Sequence, residues 1–253
     1  MKNTHFSVYE ETQKWLRQKK IDFDSNEIIG STNDEAKKEA FLISTPLKVY
    51  LANQQTAGRG RGKNTWTNAK KGDALLTTWT FSLEETPQAI TAPLIGLAIY
   101  EALTLTFQNL KLSIKPPNDI YVNDKKIAGL LVETVKQGES SRIIIGLGLN
   151  VFSNPSEINN SGYLADPISY SISNSKLSIP NLKEGDWHIF LDALLASFKK
   201  SLKHILAQHL NEETRSKLLI AINNNPNLKN KYISISPFGD LSTENQIVSW
   251  RNL

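Results

Sequence analysis

Residues 54–66 read Gln-Gln-Thr-Ala-Gly-Arg-Gly-Arg-Gly-Lys-Asn-Thr-Trp: three glycines alternate with two arginines, then a lysine, and a tryptophan closes the run. No other segment restricts the fold as tightly. Glycine weakens the interior of a helix or strand, and it lets a backbone pass close to a ligand at little steric cost. Arginine carries a permanent charge and a rigid fork of donors. A run that alternates the two cannot enter a packed core. It must be a loop, and it is suited to wrapping something small and anionic.

Regular elements therefore lie on either side of it. Residues 47–52 read as a strand leading into the loop, and residues 74–83, rich in Leu, Thr, Trp and Phe, as the strand leaving it. Upstream, residues 8–20 form an opening helix and residues 26–30 a brief strand. A helix then starts at Ser31-Thr32-Asn33, where Thr32 and Glu35 stand at capping-box spacing. Downstream, residues 93–107 make a long apolar helix, buried on most sides. Residues 111–115 alternate at period two, and Pro116-Pro117 ends that strand. Residues 120–122 and 127–135 flank a hairpin turn, and residues 142–151 form the next strand. Residues 153–185, rich in Asn, Ser and Pro, read as loop. Trp187, Phe190, Leu191, Leu194, Leu195, Phe198, Leu202, Ile205 and Leu206 then mark an amphipathic helix that packs on its own sheet. Residues 212–223 read as another helix, and residues 232–235 and 246–250 as two late strands. Strands clustered in mid-chain among helices predict an α+β fold, a mixed sheet flanked by helices. The expected division is a large domain over 1–225 and a small β segment over 226–253.

Hydrophobic residues make up 40% of the 253, enough for a sizeable core. Cysteine is absent, which excludes disulfides and thiolate metal sites. The first residues lack the apolar stretch of a signal peptide, and no run approaches 18 apolar residues. A cytoplasmic protein is the expectation. A formal net charge of +4 suits anionic ligands or an acidic partner, but is mild for a nucleic-acid binder.

Four clusters carry residues capable of chemistry, and each has a plain structural reading. Ser31-Thr32-Asn33 can be a helix cap. The loop at 55–66 matches neither a P-loop nor a dinucleotide fingerprint. Lys115-Pro116-Pro117-Asn118-Asp119, followed by Lys126-Ile127-Ala128-Gly129, can be a proline turn with solvated lysines. Gly146-Leu147-Gly148-Leu149-Asn150 can be a strand that another group approaches closely. Taken in order, the four resemble the signatures of the biotin–protein ligases (biotin–[acetyl-CoA-carboxylase] ligases): an STN-type segment, a QxAGRGRxxxxW loop, K-x-PND followed by KxAG, and a GxGxN strand. The resemblance covers about residues 28–151.

It implies a catalytic core of the class II synthetase/biotin-ligase type and a two-step reaction. Biotin and ATP give biotinyl-5′-AMP and pyrophosphate; a lysine on the carrier domain of acetyl-CoA carboxylase or a related carboxylase then displaces AMP. The resemblance makes Ser31, Thr32, Asn33 and Gln55 biotin-binding residues; hydroxyls and an amide would complement the donors and acceptor of a cyclic urea. Gly58, Arg59, Gly60 and Arg61 would wrap the valeryl chain and acyl phosphate. Lys126 would sit on the carboxylate and later on the α-phosphate, with Arg61 beside it as the second catalytic cation. Gly129, Gly146 and Gly148 would let the bicyclic ring lie against backbone. Arg59, Lys115, Asn118, Asp119 and Asn150 would serve the nucleotide, and Asp119 and Asn150 its Mg²⁺. Trp66 would pack under the loop.

This sequence departs from the family pattern at Gly62-Lys63-Asn64-Thr65, at Pro116 and at Leu76, where the family can carry an aromatic residue. Only about 30 residues precede Ser31, too few for the winged helix-turn-helix of some members, so operator DNA is not an expected partner, nor is a membrane. A monomer or a homodimer is equally compatible. Two rival readings are a lipoate–protein ligase, whose RRxxGGG-like loop is not found here, and a sensor that binds biotin or its adenylate without transfer.

Overall fold

The computed structural model describes residues 5–84, 87, 90–108, 110–166, 182–205 and 209–252. The expected loop at 153–185 therefore falls partly outside the described residues, at 167–181, as does Leu206 of the amphipathic helix.

Five helices and ten strands are seen among the described residues: α1 (Val8–Gln18), β1 (Asp22–Ile29), α2 (Thr32–Glu39), β2 (Leu47–Gln55), β3 (Ala74–Leu83), α3 (Thr91–Thr106), β4 (Leu112–Lys115), β5 (Asp119–Val122), β6 (Lys125–Gln137), β7 (Ser140–Asn150), α4 (Glu184–Ile205), α5 (Glu212–Asn223), β8 (Ser234–Ile235), β9 (Leu241–Ser242) and β10 (Ile247–Val248). Strands β1 to β7 form one sheet in the order β1-β2-β3-β7-β6-β5-β4, and β10-β9-β8 a second, small one. Only β1 and β2 run parallel; every other pair in the large sheet is antiparallel. The α+β expectation holds, with the mixed sheet flanked by helices.

Alternation along the strands divides this sheet into two unlike faces. Leu75, Trp79 and Phe81 of β3, and Ile143, Ile145, Leu147 and Leu149 of β7, belong to the main core. Helices α1, α3 and α4 cover that side. Phe198 of α4 meets Trp79 edge-on at 5.6 Å and Phe81 at 6.3 Å, while Trp15 of α1 meets Trp79 at 6.1 Å. The amphipathic stripe of α4 is thus spent inside the molecule, on α3 and the sheet. Helix α1 is tied to α4 by the Trp187 indole, which donates to the Thr12 hydroxyl at 3.0 Å. The opposite face carries Leu76, Thr78, Gly146, Gly148, Gly129 and Leu131, and among the described residues its middle is covered by α2 and the glycine-arginine loop.

Two expectations are corrected. Ser31, not Thr32, is the N-cap of α2, and its side chain makes no capping bond; the Glu35 carboxylate takes Lys38 instead. The capping box fails because the Thr32 hydroxyl is drawn to Gln55 and Thr78 across the sheet. The late β segment has three strands rather than two: β9 at Leu241–Ser242 pairs with both neighbours, and Trp250 lies in a 3-10 turn, Trp250–Asn252. Ile235, Leu241 and Trp250 join the main core.

Candidate active site

The site grows from register. Leu76 of β3 pairs with Gly148 of β7, and Gly148 with Gly129 of β6; one step along, Thr78 pairs with Gly146 and Gly146 with Leu131. Three glycines on one face open a shallow seat in the middle of the sheet. A methyl group on Gly148 would stand 2.5 Å from the Trp66 indole, one on Gly129 3.1 Å from the same ring, and one on Gly146 2.2 Å from Asn33 Oδ1. Trp66 and Asn33 therefore lie against the bare backbone where the resemblance places a ligand's bicyclic ring.

The N-terminus of α2 lies over this seat, and Ser31, Thr32 and Asn33 are all buried. The Thr32 backbone N–H donates to Gln55 Oε1 at 2.8 Å, and the Thr32 hydroxyl lies 3.1 Å from the same oxygen. Asn68 holds Gln55 in turn, accepting from its backbone N–H at 3.2 Å and donating to its carbonyl at 2.5 Å.

The loop is a small hairpin. Trp66 N–H donates to Gly58 O at 2.9 Å and Gly60 N–H to Asn64 O at 2.8 Å, with Arg59 and Thr65 bridged between them. Gly62 turns the tip with φ +65°, a conformation that favours glycine. A side chain at Gly58 would meet Trp66 O at 2.7 Å, so this glycine closes the hairpin rather than the ligand space. Arg59 turns back toward α2: it donates to Asp34 Oδ1 at 2.7 Å and Glu133 Oε1 at 3.1 Å. The hydrogen bond to Asp34, and after it the charge of Glu133, hold the guanidinium pKa above its ordinary value against partial burial. Arg61 lines the cleft.

Lys126 reaches the site through a bulge. Ile120 pairs with Ala128, but Tyr121 pairs with Lys126, leaving Ile127 as an extra residue in β6. Such an insertion re-aims side chains locally: Ile127 is fully buried in the core, while Lys126 lines the cleft. Its Nζ lies 2.7 Å from Asp119 Oδ1 and 5.9 Å from the centre of the Trp66 ring. The contact with Asp119 pairs the charges without the alignment of a hydrogen bond.

These residues line an open cleft with a volume of about 110 Å³. Ser31, Thr32, Asn33, Gln55, Arg59, Gly60, Arg61, Asn118, Asp119, Lys126, Gly129, Gly146 and Gly148 all line it. A second cleft, about 260 Å³, adjoins it and shares Thr65, Trp66 and Lys126; Tyr121, Asn150, Pro155 and Ile158 are among its other walls. Asn150 donates to Gly162 O at 3.0 Å, and its buried Oδ1 has no partner. Lys115 is not brought into either cleft; its ammonium stands 5.7 Å from the Tyr121 ring centre.

Several participants were missed from sequence. Thr78 is a strand residue among other threonines, Glu133 sits in an apolar hairpin arm, and Asp34, Lys37 and Asn68 look like ordinary surface polars. Period two does place Thr78 and Leu76 on one face, but which face holds the site is not written in β3.

A mixed sheet bearing a glycine seat under a cationic hairpin, with a lysine between two clefts, defines an α+β protein with a candidate small-ligand site. Residues 26–150 match the model of the biotin/lipoate A/B protein ligase family. The chain is similar to the bifunctional ligase/repressor BirA of Escherichia coli, 36% identical over 104 residues, 40% of this chain and 32% of that protein. It is 35% identical over 131 residues to the biotin–[acetyl-CoA-carboxylase] ligase of Paracoccus denitrificans, 49% of this chain and 52% of that protein. The matches thus span between about a third and a half of these relatives' own length. Among solved structures, the biotin protein ligase of Aquifex aeolicus in complex with biotin and ATP superposes with a TM-score of 0.64 at 23% identity, covering 89% of this chain and 94% of that one. That likeness shows the same fold. Among the described residues, no helix is long and apolar enough to cross a membrane.

Proposed function

We propose that the chain is an ATP-dependent ligase that activates biotin as biotinyl-5′-AMP and transfers it to a lysine on the carrier domain of a biotin-dependent carboxylase. The observation that carries this reading is the place of Lys126. It stands in the shared wall of the two clefts, where one ammonium can meet a carboxylate held in the first and a phosphate held in the second.

In the first step a biotin carboxylate oxygen attacks the α-phosphorus of ATP. A P–O bond forms, the bond to the β-phosphate bridge breaks, and pyrophosphate leaves. Two anions must meet, and negative charge grows on the phosphoryl oxygens; preorganised cations and N–H donors are the main device for such charge. Lys126 and Arg61 supply the cations, and the backbone of Gly60 and Arg61 borders the same space. Thr32 and Gln55 read the ureido group, which offers two N–H donors and one carbonyl. In the second step the acceptor amine attacks the acyl carbon, a C–N bond forms, the C–O bond to AMP breaks, and AMP leaves while the amine gives up a proton.

Asn150, with its free buried oxygen, and Tyr121 belong to the nucleotide side, as do Asn118 and Asp119 at the junction. No group of three metal-ligating side chains occurs among the described residues. Mg²⁺ would therefore come with the ATP phosphates, as is usual for this ion, and neutralise part of their charge. Asp119 and Asn150 offer it oxygens, and the Asp119–Lys126 pair would have to open for Asp119 to do so. Arg59, committed to Asp34 and Glu133, serves the loop rather than a phosphate. The equal claims of monomer and dimer, and of a cytoplasmic home, belong to this same reading.

The test mixes the protein with biotin, ATP and Mg²⁺ and follows pyrophosphate, then adds an isolated carboxylase carrier domain and weighs it. Biotin-dependent pyrophosphate release, followed by one biotinyl mass gain on the carrier, is the expected result. Release without transfer points to an adenylate-binding sensor, and lipoate in place of biotin to the lipoate relative. No release with either acid refutes the ligase.

A further inference from the structure

Asp119 opens β5, paired in register with Lys115 of β4 on one side and Gly129 of β6 on the other. Its side chain is 18% exposed, and its Oδ1 is buried and accepts no hydrogen bond. Among the described residues its one ion pair is with Lys126, 2.7 Å away. Lys115, directly opposite it across the strands, sends its ammonium to the Tyr121 ring instead. A carboxylate oxygen closed off from water and without donors leans on the charge beside it.

Lys126 does not depend on Asp119 for its place. Its backbone N–H donates to Asn160 O at 2.9 Å, and its carbonyl accepts from Gly162 N–H at 2.8 Å. The end of its stem lies over the backbone of Gly129: a methyl group there would stand 3.3 Å from Nζ and 3.4 Å from Cε. The backbone clamp and the bare glycine bring the ammonium to the wall between the clefts whether or not Asp119 is charged. Asp119 adds a negative charge in contact with the cation that an incoming acid needs. The ammonium has three N–H donors and can touch two carboxylates. It still sets one positive charge against two negative ones, and like charges at one site repel. A ligand with an uncharged end meets no such repulsion.

We propose that Asp119 is a positioning residue that acts through Lys126: it penalises the unreacted carboxylate of the ligand and spares the activated acyl group. This rests on the biotin reading, in which Lys126 receives the carboxylate. Once a carboxylate oxygen has bonded to the α-phosphorus, the negative charge of the acid has passed to the departing pyrophosphate, and the repulsion from Asp119 is relieved. An interaction that opposes the bound acid and fades along the reaction favours the chemical step over affinity.

The test is binding calorimetry without nucleotide or Mg²⁺, on biotin and on biotinamide, whose end is uncharged. In Asp119→Asn, which keeps the shape, biotin should bind about tenfold more tightly than in wild type, while biotinamide moves by less than about twofold. Asp119→Glu keeps the charge and should hold the ratio of the two affinities within about threefold of wild type. A merely structural role would move both ligands together, along with the thermal midpoint. A ratio in Asp119→Asn that is unchanged, or shifted toward biotinamide, overturns the proposal. If Asp119→Asn does not fold, Asp119→Ser, also uncharged, decides by the same ratio. A wild-type protein that binds biotin, with no change of ratio in the variant, keeps the ligase reading and loses only this role of Asp119. A wild-type protein that binds neither ligand refutes that reading and the proposal with it.

Discussion

Asn33 is gripped from three sides, by Thr78, by Glu133 and by the bare backbone of Gly146. Its neighbour across the seat therefore has no freedom to gain a side chain. Gly146→Ala would put a methyl group 2.2 Å from Asn33 Oδ1, and Asn33 cannot retreat without breaking two hydrogen bonds. Overpacking of this kind costs about 1–3 kcal/mol, and the urea midpoint should fall accordingly. Gly96, in the middle of α3, is the contrast: nothing lies within 4 Å of an added methyl group, so Gly96→Ala should gain about 0.5–1 kcal/mol as helix entropy is saved. Equal effects of the two changes would show that the seat is not tight. At this scale the sequence singles out residues that the fold brings together. Ser31, Gln55, Gly60, Arg61, Lys126 and the three strand glycines line one cleft. It could not say that Arg59, at the wall of that cleft, is taken up by carboxylates 25 and 74 positions distant along the chain.

Among the elements, the loop between β2 and β3 is held more by its surroundings than by its own bonds. Thr56 and Ala57 N–H groups at its entry bond the end of β1, and Arg59 ties it to Asp34 and Glu133. This gives a pH dependence with a definite sign. The folded pKa of Glu133 lies below the ordinary value of about 4.5. Its contribution is therefore fully present above that ordinary value and is lost as the pH falls through the lower folded one. Amide hydrogen exchange at Gly60 and Trp66, corrected for intrinsic rates, should show flat protection from pH 7 to about 5 and a fall only below. Protection that fades already between pH 7 and 5 would assign the loop's order to some other group. The local period of each strand was legible because it follows from side-chain alternation. The α2 cap was misread because a capping box is a local pattern, and Thr32 found stronger partners on β2 and β3.

Over the whole molecule, the small sheet is the open question of architecture, since the sequence sets 226–253 apart. Trp250 is almost fully buried, sits in the main core, and donates its indole N–H to Pro117 O at 3.0 Å. That carbonyl immediately precedes Asn118 of the cleft. If the segment and the large sheet unfold together, Trp250→Ala should lower the stability of one cooperative transition by about 3–5 kcal/mol. An unchanged main transition, with a separate early one, would make the segment an independent appendage as the sequence division suggests.

The residues and their order are enough to mark the elements, the loop and the family resemblance, because alternation, glycine content and charge act over a few neighbouring residues. Which face of the sheet becomes the site is decided elsewhere. Strand parity alone would put Lys126 on the core side with Ala128 and Leu130. The single extra residue at Ile127 reverses that parity and turns the ammonium into the cleft. The bulge exists only in the pairing of β5 with β6. The core on one side and the glycine seat on the other are what make it favourable: Ile127 gains full burial, and Lys126 gains Asp119.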